Sequence, residues 1–372
     1  MNRQSQGCGT GAIGIAMMAV AAIVLSCATS GVMAATVYPA RSQQRDFLTI
    51  YSTTDTGVFQ PVIRDFQTLR PDITINYIDI EAAPLYERFL RETGEGRPQA
   101  DLLLSSSMDL QVKLVNDGYA APHMSDNAMT LPAWARWRNE AFGFTFEPAV
   151  MVFNSAQMEG QPLPRSRNEL LAMLKSSPER WRGRVGTYDI ETSSVGYLLA
   201  SQDARQGSEF GALIEALGDV HVRVEERTGD LLDLLEDGTL AAGYNLLGSY
   251  ARARVEAGAP LEIVYPQDYT LAVSRTAVLP ANAPHPDAAH AFLEYLLSAR
   301  GQEVLSTRSH LSRIRTGGIE GLGSVAGARV GPLRPVALGP GLLVYLDQQK
   351  RERLLASWRL IIGRRSIEGK AD

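Results

Sequence analysis

Four short stretches set hydroxyl side chains at the start of an apolar-periodic helix: Ser52-Thr53-Thr54-Asp55, Ser105-Ser106-Ser107-Met108-Asp109, Thr192-Ser193-Ser194, and Asn245 through Ser249 and Tyr250. Hydroxyls beside free backbone N–H groups, at the positive end of a helix dipole, can seat an anion without asking it to lose a proton. Each stretch taken alone reads first as an ordinary helix cap, and Asp55 and Asp109 read by default as caps of that kind. The fourfold recurrence of one pattern favours binding. Catalytic chemistry has no comparable pattern. The five histidines, His123, His221, His285, His290 and His310, show no metal-ligand spacing. There is no HExxH, no G-x-S-x-G elbow and no P-loop. The chain is therefore expected to be no enzyme and to carry no cofactor.

The elements that must position these loops alternate between strand and helix. Phe47–Tyr51 has the apolar character of a strand buried on both faces. A helix follows, with Val58, Val62, Phe66 and Leu69 on one face. Ile73–Ile80, Ala100–Leu104, Ala149–Asn154, Arg184–Tyr188, Val220–Val224, Leu240–Asn245, Leu261–Pro266 and Leu271–Leu279 read as further strands. The last two read as a return crossing between two halves. Such alternation argues for parallel α/β sheets, whose ligands gather outside the carboxyl ends of the strands. Trp134, Trp137, Phe142, Phe144 and Phe146 form an aromatic patch that suits core packing, with a sugar- or base-stacking surface as the alternative. Residues 315–341, rich in Gly and Pro, should wrap the surface, and Leu354–Ile361 should close the chain as a docked helix.

Composition narrows the class. Residues 1–34 read as a signal peptide: Arg3, an apolar run from Ala12 to Leu25, and Val32-Met33-Ala34 before a cleavage point. A lipid anchor at Cys27 is the alternative. Gly9–Gly14 matches the dinucleotide fingerprint but sits inside that leader with no strand before it, so it carries no meaning. Both cysteines, Cys8 and Cys27, leave with the leader. An exported chain of about 340 residues then relies on its cores, divided between two domains. A formal net charge of -5 leaves no nucleic-acid footprint.

The stretches SSSMDLQVKLVNDGYA (Ser105–Ala120), AGYNLLGSY (Ala242–Tyr250), YPQDYTLAVSRTA (Tyr265–Ala277) and APHPDAAHAFLEYLLSARGQEVL (Ala283–Leu305) resemble the extracellular solute-binding proteins of ABC importers, in the branch with ferric-iron and sugar-phosphate binders. The resemblance spans Leu48–Trp358 and implies an α/β type 2 periplasmic-binding fold, with two Rossmann-like lobes joined by two crossing strands. Lobe one would be 35–147 plus 269–372, and lobe two 148–268. It also implies that the four loops face one another across a cleft. The expected ligand-binding residues are Thr53, Thr54, Ser106, Ser107, Ser193, Ser194, Asn245, Ser249, Tyr250 and Tyr269, with Arg275 either a bidentate anion partner or a surface or hinge residue. Iron-binding relatives use two adjacent tyrosines here, whereas five residues separate Tyr244 from Tyr250 in this chain. A hard cation needs several converging anionic oxygens, so a small organic anion, phosphorylated ones included, is the expected solute and ferric iron the alternative. The expected protein is a periplasmic monomer that delivers its solute by hinge closure to the membrane subunits of an ABC importer. Its rivals are a sensing subunit for a membrane-bound kinase and an exported enzyme on the same scaffold.

Overall fold

A computed structural model describes residues 34–207, 209–314 and 331–363. The expected leader, with Cys8 and Cys27, lies outside the described residues except for Ala34, as does 315–330 of the expected surface wrap. The strands in chain order are β1 (Ala34–Tyr38), β2 (Asp46–Ser52), β3 (Ile73–Asp79), β4 (Leu102–Ser105), β5 (Arg136–Trp137), β6 (Ala141–Gly143) and β7 (Glu147–Asn154). They continue as β8 (Val185–Tyr188), β9 (Arg223–Glu225), β10 (Ala242–Leu247), β11 (Leu261–Val264), β12 (Thr270–Val273), β13 (Thr276–Val278) and β14 (Leu333–Pro335).

They form two sheets, ordered β1-β3-β2-β4-β13-β6-β5 and β14-β12-β7-β10-β8-β9, with β11 also on β7. In the first sheet β2 lies parallel between β3 and β4, and Ser52 pairs with Leu104 at the carboxyl end. In the second, β8 lies parallel between β10 and β9. Hydroxyl loops therefore leave the same ends of neighbouring parallel strands, where doubly wound sheets place ligands.

Consecutive strands cross between the sheets from β6 to β7 and from β12 to β13, and the chain passes once more from the first sheet to the second between β13 and β14. The outgoing crossing enters β7 at Glu147, and the return breaks at Ser274–Arg275 between β12 and β13, with Val273 paired to Glu147. Leu261–Val264 does not take part in the crossing; it pairs with β7 inside the second sheet. The chain beyond Tyr269 divides between the halves. β13 joins the first sheet, while β12 and β14 pair in the second. Leu355, Trp358 and Ile362 pack in the second core cluster beside Leu213 and Leu217.

The helix Thr56–Leu69 buries Phe59, Val62, Ile63 and Phe66, a face turned by one residue from the expected stripe, because Leu69 is half exposed and Val58 looks toward the cleft. Each buried side chain of this size contributes about 1.5–3 kcal/mol. The aromatic patch is core: Phe142, Phe144 and Phe146 are buried, and Trp134 meets Phe146 edge-on at 6.0 Å. No described helix is long and apolar enough to cross a membrane.

Candidate functional site: the cleft between the sheets

The floor of the cleft is Arg275. Its backbone is braced between the two crossings, its N–H donating to Thr145 Oγ1 at 2.9 Å and its carbonyl accepting from Phe144 N–H at 2.9 Å. The side chain is 2% exposed. Nη1 donates to Thr54 Oγ1 at 2.8 Å, and the guanidinium carbon lies 5.4 Å from the Tyr250 ring centre. Nε is 3.6 Å from Glu147 Oε1, an ion pair without a hydrogen bond, and both Glu147 oxygens and Arg275 Nε are buried with no partner. Burial pulls the arginine's pKa down, but Tyr250, Glu147 and Asp55 outweigh it and the net direction is up, so the group stays charged.

One wall comes from the first sheet. Thr54 N–H donates to Ser52 Oγ and Ser107 N–H to Ser105 Oγ, each at 3.1 Å, so the two loops repeat one hydroxyl turn. Ser106 N–H donates to Thr53 Oγ1 at 3.1 Å and stitches the loops side by side. The opposite wall comes from the second sheet. Ser193 Oγ caps the helix Ser194–Asp203 by accepting from Gly196 N–H at 3.3 Å. Tyr188 OH and Thr228 Oγ1 are 2.5 Å apart, and burial pushes the Tyr188 hydroxyl up to about 12. Tyr250 OH donates across the gap to Asp55 Oδ2 at 2.7 Å. Ser249 Oγ is buried with no partner.

Charge gathers at the mouth. Arg227 reaches from the second half to Asp79 at 3.2 Å, Asp55 at 3.5 Å, and Glu81. Burial raises the carboxyls of Asp79 and Glu81 above their ordinary range, although Arg227 pulls both down. Arg254 pairs with Asp233 at 2.8 Å and Glu236 at 2.9 Å.

Thr53, Ser106, Ser249, Tyr250 and Arg275 thus line one cavity of about 390 Å³. Thr54 is one hydrogen bond behind it. Ser107 is wholly buried at the start of the helix Met108–Asn116, and Ser193 and Ser194 open the helix whose Val195 lines the cavity. Asn245 and Tyr269 are drawn elsewhere. Their side chains, with Tyr244, donate to the buried Asp203 carboxylate at 2.6, 2.8 and 2.7 Å, and Arg167 lies 3.1 Å from the same group. A break in the β10–β7 register lets Asn245 adopt φ 64° and turn inward. Asp55 precedes a helix but makes no side-chain cap; Tyr250 and Arg227 hold it instead. Arg227-Thr228-Gly229-Asp230 is the lining segment that sequence reasoning passed over. A hydroxyl and an acid opening the helix Thr228–Glu236 repeat the pattern of the other loops and were the available signal. Among the described residues, no group of three or more His, Cys, Asp and Glu is arranged to hold a metal ion.

This architecture has known counterparts. The substrate-binding protein of an ABC transporter from Agrobacterium tumefaciens is 36% identical, covering 89% of this chain and 99% of its own, with a TM-score of 0.82. AfuA from Actinobacillus pleuropneumoniae, with fructose-6-phosphate bound, is 18% identical over 86% of this chain and 99% of its own, at a TM-score of 0.68. Iron-bound HitA from Pseudomonas aeruginosa is 17% identical over 85% and 99%, at 0.66. The last two share the fold alone. No curated protein sequence matches the chain. A family model described as bacterial extracellular solute-binding protein matches residues 48–308. The chain has the two-lobed fold of periplasmic binding proteins and belongs to the bacterial extracellular solute-binding proteins, a transport family and not an enzyme family.

Proposed function

We propose that the protein is the periplasmic receptor of an ABC importer, that it captures a small solute with an anionic group between its lobes, and that the lobes meet at the Glu147 and Ser274–Arg275 crossings. The observation that carries this reading is the floor of the cleft: a buried guanidinium and a buried Ser249 hydroxyl with no hydrogen-bond partner, both lining a cavity with walls from both halves. A buried hydroxyl without a partner is costly alone and is relieved by an acceptor. A ligand touching both walls favours the closed arrangement by its differential contacts, and one touching a single wall shifts nothing. Thr53, Thr54, Ser106, Ser107, Ser193, Ser194, Ser249 and Tyr250 form or support those walls. Asn245 and Tyr269 support the second lobe from behind.

A thermal-shift screen over sugar phosphates, phosphonates, dicarboxylates and ferric citrate tests the reading. A bound solute at a hundred times its dissociation constant adds about 2.7 kcal/mol of apparent stability. The response is expected for organic anions and should be lost in Thr53→Ala combined with Ser249→Ala. A response confined to ferric citrate, with a tyrosinate colour, would transfer the assignment to iron.

A further inference from the structure

The cavity is not uniformly suited to an anion. Its lining carries three cations, Arg227, Arg254 and Arg275, against five carboxylates, Asp55, Glu81, Glu226, Asp230 and Asp233. The charges are also segregated. Arg275 and the unpartnered Ser249 hydroxyl sit at the buried floor, whereas the carboxylates ring the mouth. Arg227 and Arg254 are engaged by Asp55, Asp79, Glu81, Asp233 and Glu236. Glu226 and Asp230 line the mouth with no ion pair or hydrogen bond among the described contacts. Desolvation raises the Asp230 carboxyl, and Glu225, Asp233 and Asp55 raise it further against the pull of Arg227. A purely anionic guest would enter against this field, and one that also carried a cation would be drawn in by it.

Building on the anion-receptor reading, we propose that the solute is a zwitterion: its anionic group sits on Arg275 and the hydroxyl floor, and its ammonium faces Asp230 and Glu226 at the mouth. Arg227 supplies an internal precedent. It is a cation from one lobe, held by three carboxylates of the other. An alkylammonium presented by a solute meets the same acidic field, and it competes with Arg227 for Asp55 and Glu81.

The test is isothermal titration with matched pairs that differ only in the amine: phosphoethanolamine against ethyl phosphate, and γ-aminobutyrate against butyrate. The aminated member of at least one pair should bind tenfold or more tightly, equivalent to about 1.4 kcal/mol. Asp230→Asn with Glu226→Gln should erase that preference and leave the neutral-tailed anion unchanged or tighter. Arg227→Gln should enlarge the preference, because the internal competitor is gone. Equal affinity within both pairs overturns the zwitterion assignment and leaves the anion receptor standing. Binding of ethylammonium as tight as that of the aminated anions, or no binding by any probe, overturns both.

Discussion

Arg275 and Glu147 form a pair whose members are both almost sealed from water, yet their nearest atoms are 3.6 Å apart and unbonded. Breaking such a pair leaves one buried charge uncompensated, at a cost of about 3–5 kcal/mol. Arg275→Met should therefore lower stability by roughly that amount, and Arg275→Met with Glu147→Leu should lose much less than the sum of the single changes. Urea unfolding of the four proteins completes the cycle. Additive losses would mean that the two charges do not sense each other. Asp203 is the opposite case. It accepts from Tyr244, Asn245 and Tyr269 and faces Arg167, wholly inside the second lobe. Asp203→Asn is expected to cost about 3 kcal/mol, since it removes the fully buried one of Arg167's two carboxylate partners and leaves only Asp268 at 3.2 Å. Titrated where it remains folded, it should keep its solute affinity within a factor of two or three.

Among the helices, the one opening at Ser194 shows how tightly an element can be seated on its sheet. A Cβ added to Gly196 would stand 2.4 Å from Tyr188 Cβ. Gly196→Ala must therefore push the helix off β8 or displace Tyr188, and overpacking of this kind costs about 1–3 kcal/mol. The lowered melting temperature should come with a weakened solute response, because Tyr188 and Val195 lie on the same wall as Thr228. Asp109, in the first turn of Met108–Asn116, tests a different property. Burial lifts its carboxyl to about 6 from the ordinary 3.8, with the Leu110 N–H bond pulling the other way. A carboxyl raised on folding means that the native state holds more protons than the unfolded chain between those two values. Stability attributable to Asp109 is therefore greatest at acid pH and falls as pH rises through about 4 to 6, by up to roughly 3 kcal/mol. Asp109→Asn should stabilise the protein at pH 7.5 and flatten that slope, as read by melting temperature against pH.

For the whole molecule, the question is what holds two lobes together around a cavity. Arg227 with its three carboxylates and Tyr250 with Asp55 span the gap directly. Farther along, Arg252 Nη2 donates to Ser312 Oγ at 3.2 Å near the crossings. The C-terminal segment alternates between halves: Leu338 N–H donates to Trp134 O at 2.7 Å, Tyr345 O accepts from Tyr197 OH at 2.5 Å, and Trp358 packs in the second core. The Arg227 contacts are partly exposed, so each is worth at most about 1 kcal/mol, and only the set acts as a latch. Arg227→Gln combined with Tyr250→Phe should move the unliganded protein toward an open form. An increased radius of gyration in small-angle scattering, reversed by solute, would report the change, and an unchanged radius would show that the crossings alone fix the angle.

Sequence alone determined the alternation of strands and helices, the family, and the hydroxyl loops, because these rest on local periodicity, cap chemistry and contiguous motifs such as Ser105–Ala120. Of the residues it singled out for binding, Thr53, Ser106, Ser249, Tyr250 and Arg275 line the cavity between the sheets. It did not separate these from Asn245 and Tyr269, whose direction depends on one break in strand register and on a buried aspartate 42 residues away from Asn245. Nor did it reveal the acidic mouth. Asp55, Glu81 and Asp230 come from distant segments and look like ordinary surface or cap residues until the fold turns them on one another. Which turns exist is a local property of the chain. Which charges share a space is decided only by how the two sheets are set face to face.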